Sequence, residues 1–355
     1  MKPGIRELFP QYCIDRIPLP APISPSPDRI EGMLLGVAIG DSLGNTTEGR
    51  WGYARRRYFG DIRDYLPNPR AAGEPRGLPS DDTQLTFWTL ESLLAKGGLD
   101  PNDVARRFAE SRILGIGQTV RAAIANLKAG SPWYKAGANS AGNGALMRIA
   151  PVVLPQLKSP SVRLWEDTLA ATVVTHNDEM AVAASVGFVG MLWECLGRQD
   201  TNPEPTWRLD TFLKYASAVE TGRKYQSNAR SGLGFDGTLC QFLEQHVRAS
   251  IKTEMDIDTA SETWFSGAYL LETVPIVVLT LARFGHSPEE AIVRAVTDTW
   301  DNDTIGAIIG AAVGALHGRS ALPERWITGL LGRTRENDDG RVFELVEEAV
   351  RRFTL

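Results

Sequence analysis

Two short stretches of this 355-residue chain pair carboxylates with hydroxyls just where a helix would begin. They are Ser80-Asp81-Asp82-Thr83 ("SDDT") and Asp301-Asn302-Asp303-Thr304 ("DNDT"). Either one alone reads as a helix N-cap, because short polar side chains satisfy the first amides and acids suit the positive end of the helix dipole. More than two hundred residues apart, the pair asks for more. If the tetrads converge, four carboxylates share one site and repel one another unless protonated or bridged by cations. Hard oxygen ligands of this kind suit Mg²⁺ or Mn²⁺ and need no thiolate or imidazole. A two-metal site is the economical expectation.

The elements that would bring the tetrads together are glycine-striped. Gly306, Gly310, Gly314 and Gly318 follow "DNDT", and Gly32, Gly36, Gly40 and Gly44 mark an earlier segment with the same spacing of four. Glycine costs roughly 1 kcal/mol against alanine at each interior helix position, so packing must offset these stripes. Asp41 and Glu48 lie at the end of the first striped helix, and Asp301 and Asp303 at the start of the second. An antiparallel crossing would bring these carboxylates together.

The rest of the chain is read as all-α. "DRIE" at residues 28–31 resembles a capping box with Asp28 as N-cap. Segments starting near residues 83, 101, 118, 161, 179, 287 and 341 repeat apolar residues every three or four positions, and alternating strand patterns are nearly absent. Residues 1–27, rich in proline, read as an extension, with residues 28–355 as one domain. The extension reads first as a disordered or surface-wrapped tail; its Ile5, Leu8, Phe9, Tyr12, Ile14 and Ile17 also offer enough apolar surface for an arm that reaches a partner.

Composition narrows the function classes. Net charge is −5, so a nucleic-acid surface is not the default expectation. Arg55-Arg56-Arg57, flanked by Tyr53 and Tyr58, is the one basic run and reads as a solvated face. Cys13, Cys195 and Cys240 suggest neither a disulfide framework nor a zinc site, which fits a reducing, cytoplasmic setting. No segment is expected to span a membrane. "GNG" at 142–144 is a turn by itself, although its glycines would let amides approach a phosphate closely at a helix start.

Six stretches in order, "GVAIGDSLGNTTE", "SDDTQ", "SAGNGALMRIAP", "THND", "GAYLLETVP" and "DNDTIGAIIGAAVGALHG", resemble the ADP-ribosylglycohydrolases, the group of the dinitrogenase-reductase-activating glycohydrolase. The resemblance spans about residues 29–330. It implies a compact single-domain helical fold with a binuclear Mg²⁺ or Mn²⁺ centre at the bottom of an ADP-ribose cleft. It implies Ser80, Asp81, Asp82, Asp301, Asp303 and Thr304 as metal ligands. Ser140, Gly142, Asn143, Gly144, Met147 and His176 would hold ADP-ribose, with Trp264, Phe265 or Tyr269 as candidates to stack on adenine. The catalytic set would be Glu48, Asp81, Asp82 and Asp303, with Glu48 on a loop over the reactive ribose. His246, His286 and His317 have no such context and read as structural.

Two positions depart from the family pattern. Ser80 stands where threonine is usual, which keeps the hydroxyl, and Trp300 where a glycine is common, which should reshape the acceptor side of the cleft. The expected activity is hydrolysis of ADP-ribose from a modified protein, with the arginine guanidinium as first acceptor and reversal of a toxin's modification as one setting. The alternatives are a binding protein whose residues 1–27 block an ADP-ribosyltransferase toxin, or hydrolysis of a serine, nucleic-acid or O-acetyl linkage. Net acidity weighs against the nucleic-acid acceptor.

Overall fold

The computed structural model describes Leu8 and residues 12–354. Thirteen of its longer helices carry the argument. They are α1 (Pro27–Asn45), α2 (Gly52–Phe59), α3 (Asp81–Lys96), α4 (Pro101–Glu110), α5 (Gln118–Lys128), α6 (Arg163–Val173) and α7 (Glu179–Gly197), followed by α8 (Trp207–Ala216), α9 (Ile257–Trp264), α10 (Leu270–Phe284), α11 (Pro288–Asp298), α12 (Asn302–His317) and α13 (Arg341–Thr354). Among the described residues the one two-stranded ladder pairs Tyr225–Gln226 with Asp236–Gly237, antiparallel. The all-α expectation holds, and a single hydrophobic core runs from Leu8 to Ala349.

The centre is the α1–α12 pair, and its sequence explains its geometry. A Cβ built on Gly32 would lie 2.5 Å from the Gly314 carbonyl oxygen. Gly36 meets Gly310 and Gly40 meets Gly306 in the same backbone-on-backbone way, and Gly44 rests on the Asp303 amide. The helices therefore run antiparallel in a fixed register, and α11, α10 and α7 pack around α12. Helix α7 is apolar and long enough to cross a membrane by composition, but it is almost wholly buried inside the protein.

The start of α1 differs from the sequence reading. Ser26, not Asp28, is the N-cap: its hydroxyl accepts from the Arg29 amide at 3.4 Å, with Pro27 in the first turn. Proline at that position is preset for helix. Asp28 instead accepts from the Ser320 amide (2.9 Å) and hydroxyl (3.0 Å) just past α12, where Gly318 at φ +88° leaves room for the carboxylate.

The amino-terminal segment also differs from a free arm. Leu8, Tyr12, Ile14 and Ile17 are buried in this chain's own core, so they are not available to a toxin or other partner. Tyr12 donates to Asn177 (3.0 Å), the Ala21 carbonyl accepts from the Trp193 indole (2.9 Å), and the Ile23 amide donates to the Leu157 carbonyl (2.9 Å). Ile5 and Phe9 lie outside the described residues.

The stripe yields a test. Gly310→Ala places a methyl group into the Gly36 backbone and should cost about 3 kcal/mol or more, since overpacking is worst where backbone must move. Gly98→Ala, with nothing within 4 Å of the added carbon, should change stability by no more than about 0.5 kcal/mol. Urea denaturation of both variants checks the contrast.

Candidate metal and substrate cleft

Four short segments meet at the open end of the α1–α12 pair. Helix α1 delivers Asp41, fully buried, and the loop after it delivers Glu48, which is exposed. Helix α3 begins at Ser80, and α12 begins behind Asp301. One oxygen of Asp41 accepts from the Ser80 amide (2.8 Å), the Thr83 amide (3.1 Å) and the Thr83 hydroxyl (2.5 Å). It thereby caps α3 from another helix, which explains why Ser80 itself reaches the Asp82 amide only at 3.4 Å.

The other carboxylates are held in a similar manner. The Ser80 hydroxyl is 3.2 Å from Asp82 Oδ2. Asp301 accepts from the Asn143 side-chain amide at 2.6 Å, and its own amide donates to the Ser266 carbonyl (2.9 Å). Asp303 Oδ1 accepts from the Thr304 amide at 2.9 Å. Asp41 Oδ1 and Asp82 Oδ1 are buried without a hydrogen-bond partner, an expensive state for a carboxylate oxygen unless a cation or proton completes it.

Two groups of three carboxylates form here: Asp41, Asp82 and Asp303, and Glu48, Asp301 and Asp303. Within each group ligand oxygens lie within 4.8 Å of one another, and Asp303 belongs to both. Burial pushes the carboxyls of Asp41, Asp82, Asp301 and Asp303 above the usual range, and neighbouring carboxylates add to it for Asp82 and Asp303. Asp81 is pushed up to about 8 by burial and then by Asp41, and Glu48 is raised by the protein packed around it and by Asp301. Such a cluster, with two unpartnered oxygens and only oxygen donors, fits hard divalent cations.

The site opens into a cleft of about 960 Å³. Ser80, Asp81, Asp82, Asp301, Asp303, Thr304 and Glu48 line it, together with Gly142, Asn143, Gly144, Met147 and His176. Ser140 does not line it; its hydroxyl lies 3.0 Å from that of Thr119, which does. Asp81 falls outside both groups, and its carboxylate faces Gly115, where a Cβ would sit 2.9 Å away.

The glycine turn is pinned differently from a bare phosphate loop. The Asn143 amide is spent on the Ala268 carbonyl (2.8 Å) and cannot serve a phosphate, while its side chain holds Asp301 and contacts Thr273 (3.0 Å). Among the described residues the amides of Gly142 and Gly144 have no such backbone partner. His176 packs against both glycines, 3.0 Å from a Cβ built on Gly144 and 3.4 Å from one built on Gly142. Arg148 donates to the Thr175 hydroxyl (2.7 Å), which in turn lies 2.8 Å from His176 Nδ1. The Thr175 hydroxyl thus fixes the ring through Nδ1 and leaves Nε2 beside the two glycines. Burial, and then Arg148, hold the imidazole's pKa down to about 3.

Several sequence expectations are corrected here. No aromatic stacking candidate lines the cleft: Trp264 packs on Phe242, Phe265 is buried against Trp51 and Trp300, and the Tyr269 hydroxyl donates to the Gln226 carbonyl (3.2 Å). Trp300 also lies outside the lining, its ring 4.9 Å from that of Trp51. Arg55 alone departs from the solvated-face reading of the basic run, being fully buried, whereas Arg56, which pairs with Asp298 at 2.6 Å, and Arg57 are exposed with Tyr53 and Tyr58. The structural reading of two histidines, by contrast, stands: His246 packs on Phe242 and His317 Nε2 meets the Gly285 carbonyl at 2.8 Å. The residues that sequence reasoning left out of the ligand set are Asp41 and the Asn143 side chain's tie to Asp301; the signal for Asp41 was its place at the end of the glycine stripe.

His176 gives a pH prediction. Below about 6.5 the unfolded chain takes up a proton that the folded imidazole refuses until about pH 3, so stability falls as pH drops through that window. His176→Gln should lose about 2 kcal/mol less than the parent between pH 7 and pH 5, measured by denaturant unfolding at both.

Comparison with known proteins points to one family and one fold. The profile of the ADP-ribosylglycohydrolase family matches residues 23–354. The ADP-ribosyl-[dinitrogen reductase] glycohydrolase of Rhodospirillum rubrum is 27% identical over 308 residues, covering 85% of this chain and 90% of its own. The ADP-ribosylarginine hydrolase Tri1 of Pseudomonas putida is 26% identical over 312 residues, covering 84% of this chain and 73% of its own. A solved structure described as an ADP-ribosylglycohydrolase-related protein complex superposes with a TM-score of 0.67 at 26% identity, covering 93% of this chain and 99% of the other.

Proposed function

From the premise that the chain belongs to the ADP-ribosylglycohydrolase family, whose members are hydrolases of ADP-ribose glycosidic linkages, we propose that it removes ADP-ribose from arginine side chains of proteins. The observation that carries this reading is the pair of carboxylate groups sharing Asp303 in one cleft with His176 and the Gly142–Gly144 turn. The arginine linkage follows the activity named for the Pseudomonas relative. Reversal of a toxin's modification remains one setting for that chemistry, but the buried Leu8, Tyr12, Ile14 and Ile17 lend no support to a toxin-blocking arm.

The family is metal-dependent, and this chain's residues fit that requirement. Two Mg²⁺ or Mn²⁺ ions would be held by Asp41, Asp82 and Asp303 and by Glu48, Asp301 and Asp303, with the Ser80 and Thr304 hydroxyls and Asp81 alongside. When bound, the ions supply charge stabilisation for an oxocarbenium-like transition state and orient the ribose.

The chain's own groups do the rest in this reading. The Gly142 and Gly144 amides and the His176 Nε2–H donate to the diphosphate, an anion that a permanently neutral imidazole can bind without titrating. Asp81, outside both groups, takes the proton of the attacking water as its oxygen bonds the anomeric carbon. The carbon–nitrogen bond breaks, and the guanidine leaves with a proton returned from the site. Glu48, on the loop above, orients the ribose from the solvent side.

Incubation with ADP-ribosyl-arginine, ADP-ribosyl-serine, O-acetyl-ADP-ribose and ADP-ribosylated nucleic acid tests the assignment. ADP-ribose release should be fastest from the arginine conjugate, vanish with a chelator and return with Mg²⁺ or Mn²⁺. Asp303→Ala should lose at least about a thousandfold in kcat, and Asp81→Asn about a hundredfold or more. Full turnover by Asp303→Ala, or no release from any conjugate, would sink the reading.

A further inference from the structure

Arg55, on α2, belongs to neither carboxylate group and does not line the cleft, yet its guanidinium is fully buried. Nε donates to the Thr47 carbonyl (3.2 Å) and hydroxyl (3.0 Å), and Nη2 to the Thr47 carbonyl (3.1 Å) and the Trp300 carbonyl (3.2 Å). Nη1 donates to the Thr297 carbonyl (3.3 Å) and to that of Thr299. Thr47 immediately precedes Glu48, and Thr299 and Trp300 immediately precede Asp301. Two further bonds run across the same seam: the Gly49 amide donates to the Trp300 carbonyl (3.3 Å), and Asn302 Nδ2 donates to the Thr47 hydroxyl (3.0 Å).

Every one of these acceptors is neutral, so no single carboxylate consumes the charge of Arg55. Burial lowers its pKa to about 10, opposed first by Asp303 and then by Asp298. A buried cation among neutral acceptors is costly unless excess negative charge lies close by, and here Asp303, Asp298 and Asp301 supply it. A planar fork with five donors can tie both loops at once, whereas a lysine ammonium offers one nitrogen at one point.

We propose that Arg55 is a positioning residue for the cation site: it ties the Glu48 loop to the 299–301 segment, so that Glu48, Asp301 and Asp303 are assembled before a cation arrives. The inference rests on the cation-dependent reading of the cleft.

The test uses the full chain with Arg55→Lys, Arg55→Met and Thr47→Val. Circular dichroism establishes folding, hydrogen–deuterium exchange follows residues 46–51 and 299–303, and calorimetry or electron paramagnetic resonance gives Mn²⁺ affinity without substrate. Folded Arg55→Lys should exchange faster in those two segments, with α7 unchanged, and bind Mn²⁺ about tenfold or more weakly. Arg55→Met should show larger changes. Thr47→Val, which removes one acceptor and keeps the guanidinium, should move both readouts in the same direction by a smaller factor. Parental exchange and Mn²⁺ affinity in Arg55→Lys would overturn the proposal. Should the Arg55 variants not fold, parental values in Thr47→Val overturn it instead. If the parent binds no Mn²⁺ the cation reading has failed, and unchanged exchange in the two segments then rejects the tie on its own.

Discussion

The structure depends on one contact, backbone against backbone between α1 and α12. Two ordinary helices pack with their axes 8–10 Å apart because side chains stand between them. Here Gly32, Gly36 and Gly40 face Gly314, Gly310 and Gly306, and nothing intervenes. Each glycine is set against a partner's carbonyl, so a slip of one residue would drive side chains into backbone. The register therefore carries positional information. It puts Asp41, one residue beyond Gly40, beside Asp303, three residues before Gly306, and it joins Asp28 to Ser320 at the far end. The helix propensity that the glycines forgo, roughly 1 kcal/mol each, is recovered as close packing along the whole pair.

Convergence then creates an electrostatic problem, which the fold answers one oxygen at a time. Asp41 has one oxygen saturated by the start of α3 and the other without a partner. Asp82 repeats the arrangement, with Ser80 on one oxygen. Asp301 is anchored by Asn143, a neutral donor that fixes the carboxylate without cancelling its charge. Anchoring by amides and hydroxyls holds ligands in place and leaves the net negative charge for a cation to meet. Arg55 adds positive charge from behind without forming an ion pair that would withdraw a carboxylate from the group.

What the sequence made legible follows the range of the forces involved. Helix existence came from apolar periodicity, which is local, and α3, α4, α5, α6, α7, α11 and α13 lie where that pattern falls. The two tetrads and the glycine stripes were legible because their spacing is regular and their residue types unusual. The start of α1 carries two competing signals: Ser26-Pro27 is a cap followed by a preset first-turn residue, and Asp28 with Glu31 mimics a capping box two residues later. Arg55 was illegible for a different reason. Three of its acceptors are main-chain carbonyls some two hundred and forty residues away, and carbonyls have no signature in sequence. The prolines of the extension signal extended chain, but not whether that chain lies on its own core or reaches a partner.

Trp300 shows how a departure from the family pattern is absorbed. Its ring packs with Trp51 and Phe265 outside the cleft lining, while its main chain does the positioning. The Trp300 amide donates to the Ser266 hydroxyl (2.7 Å), the adjoining Asp301 amide to the Ser266 carbonyl (2.9 Å), and Ser261 braces the Ser266 hydroxyl (2.6 Å). Phe265, just before this serine, sits at φ +62°, a conformation that costs a bulky residue about 1–3 kcal/mol and persists only when its surroundings overdetermine it. The aromatic packing and the doubled serine contact are those surroundings. A glycine at position 300 could keep the amide and the carbonyl but would take the third ring from the cluster with Trp51 and Phe265. In this chain, then, the tryptophan secures a strained turn from which Asp301 hangs.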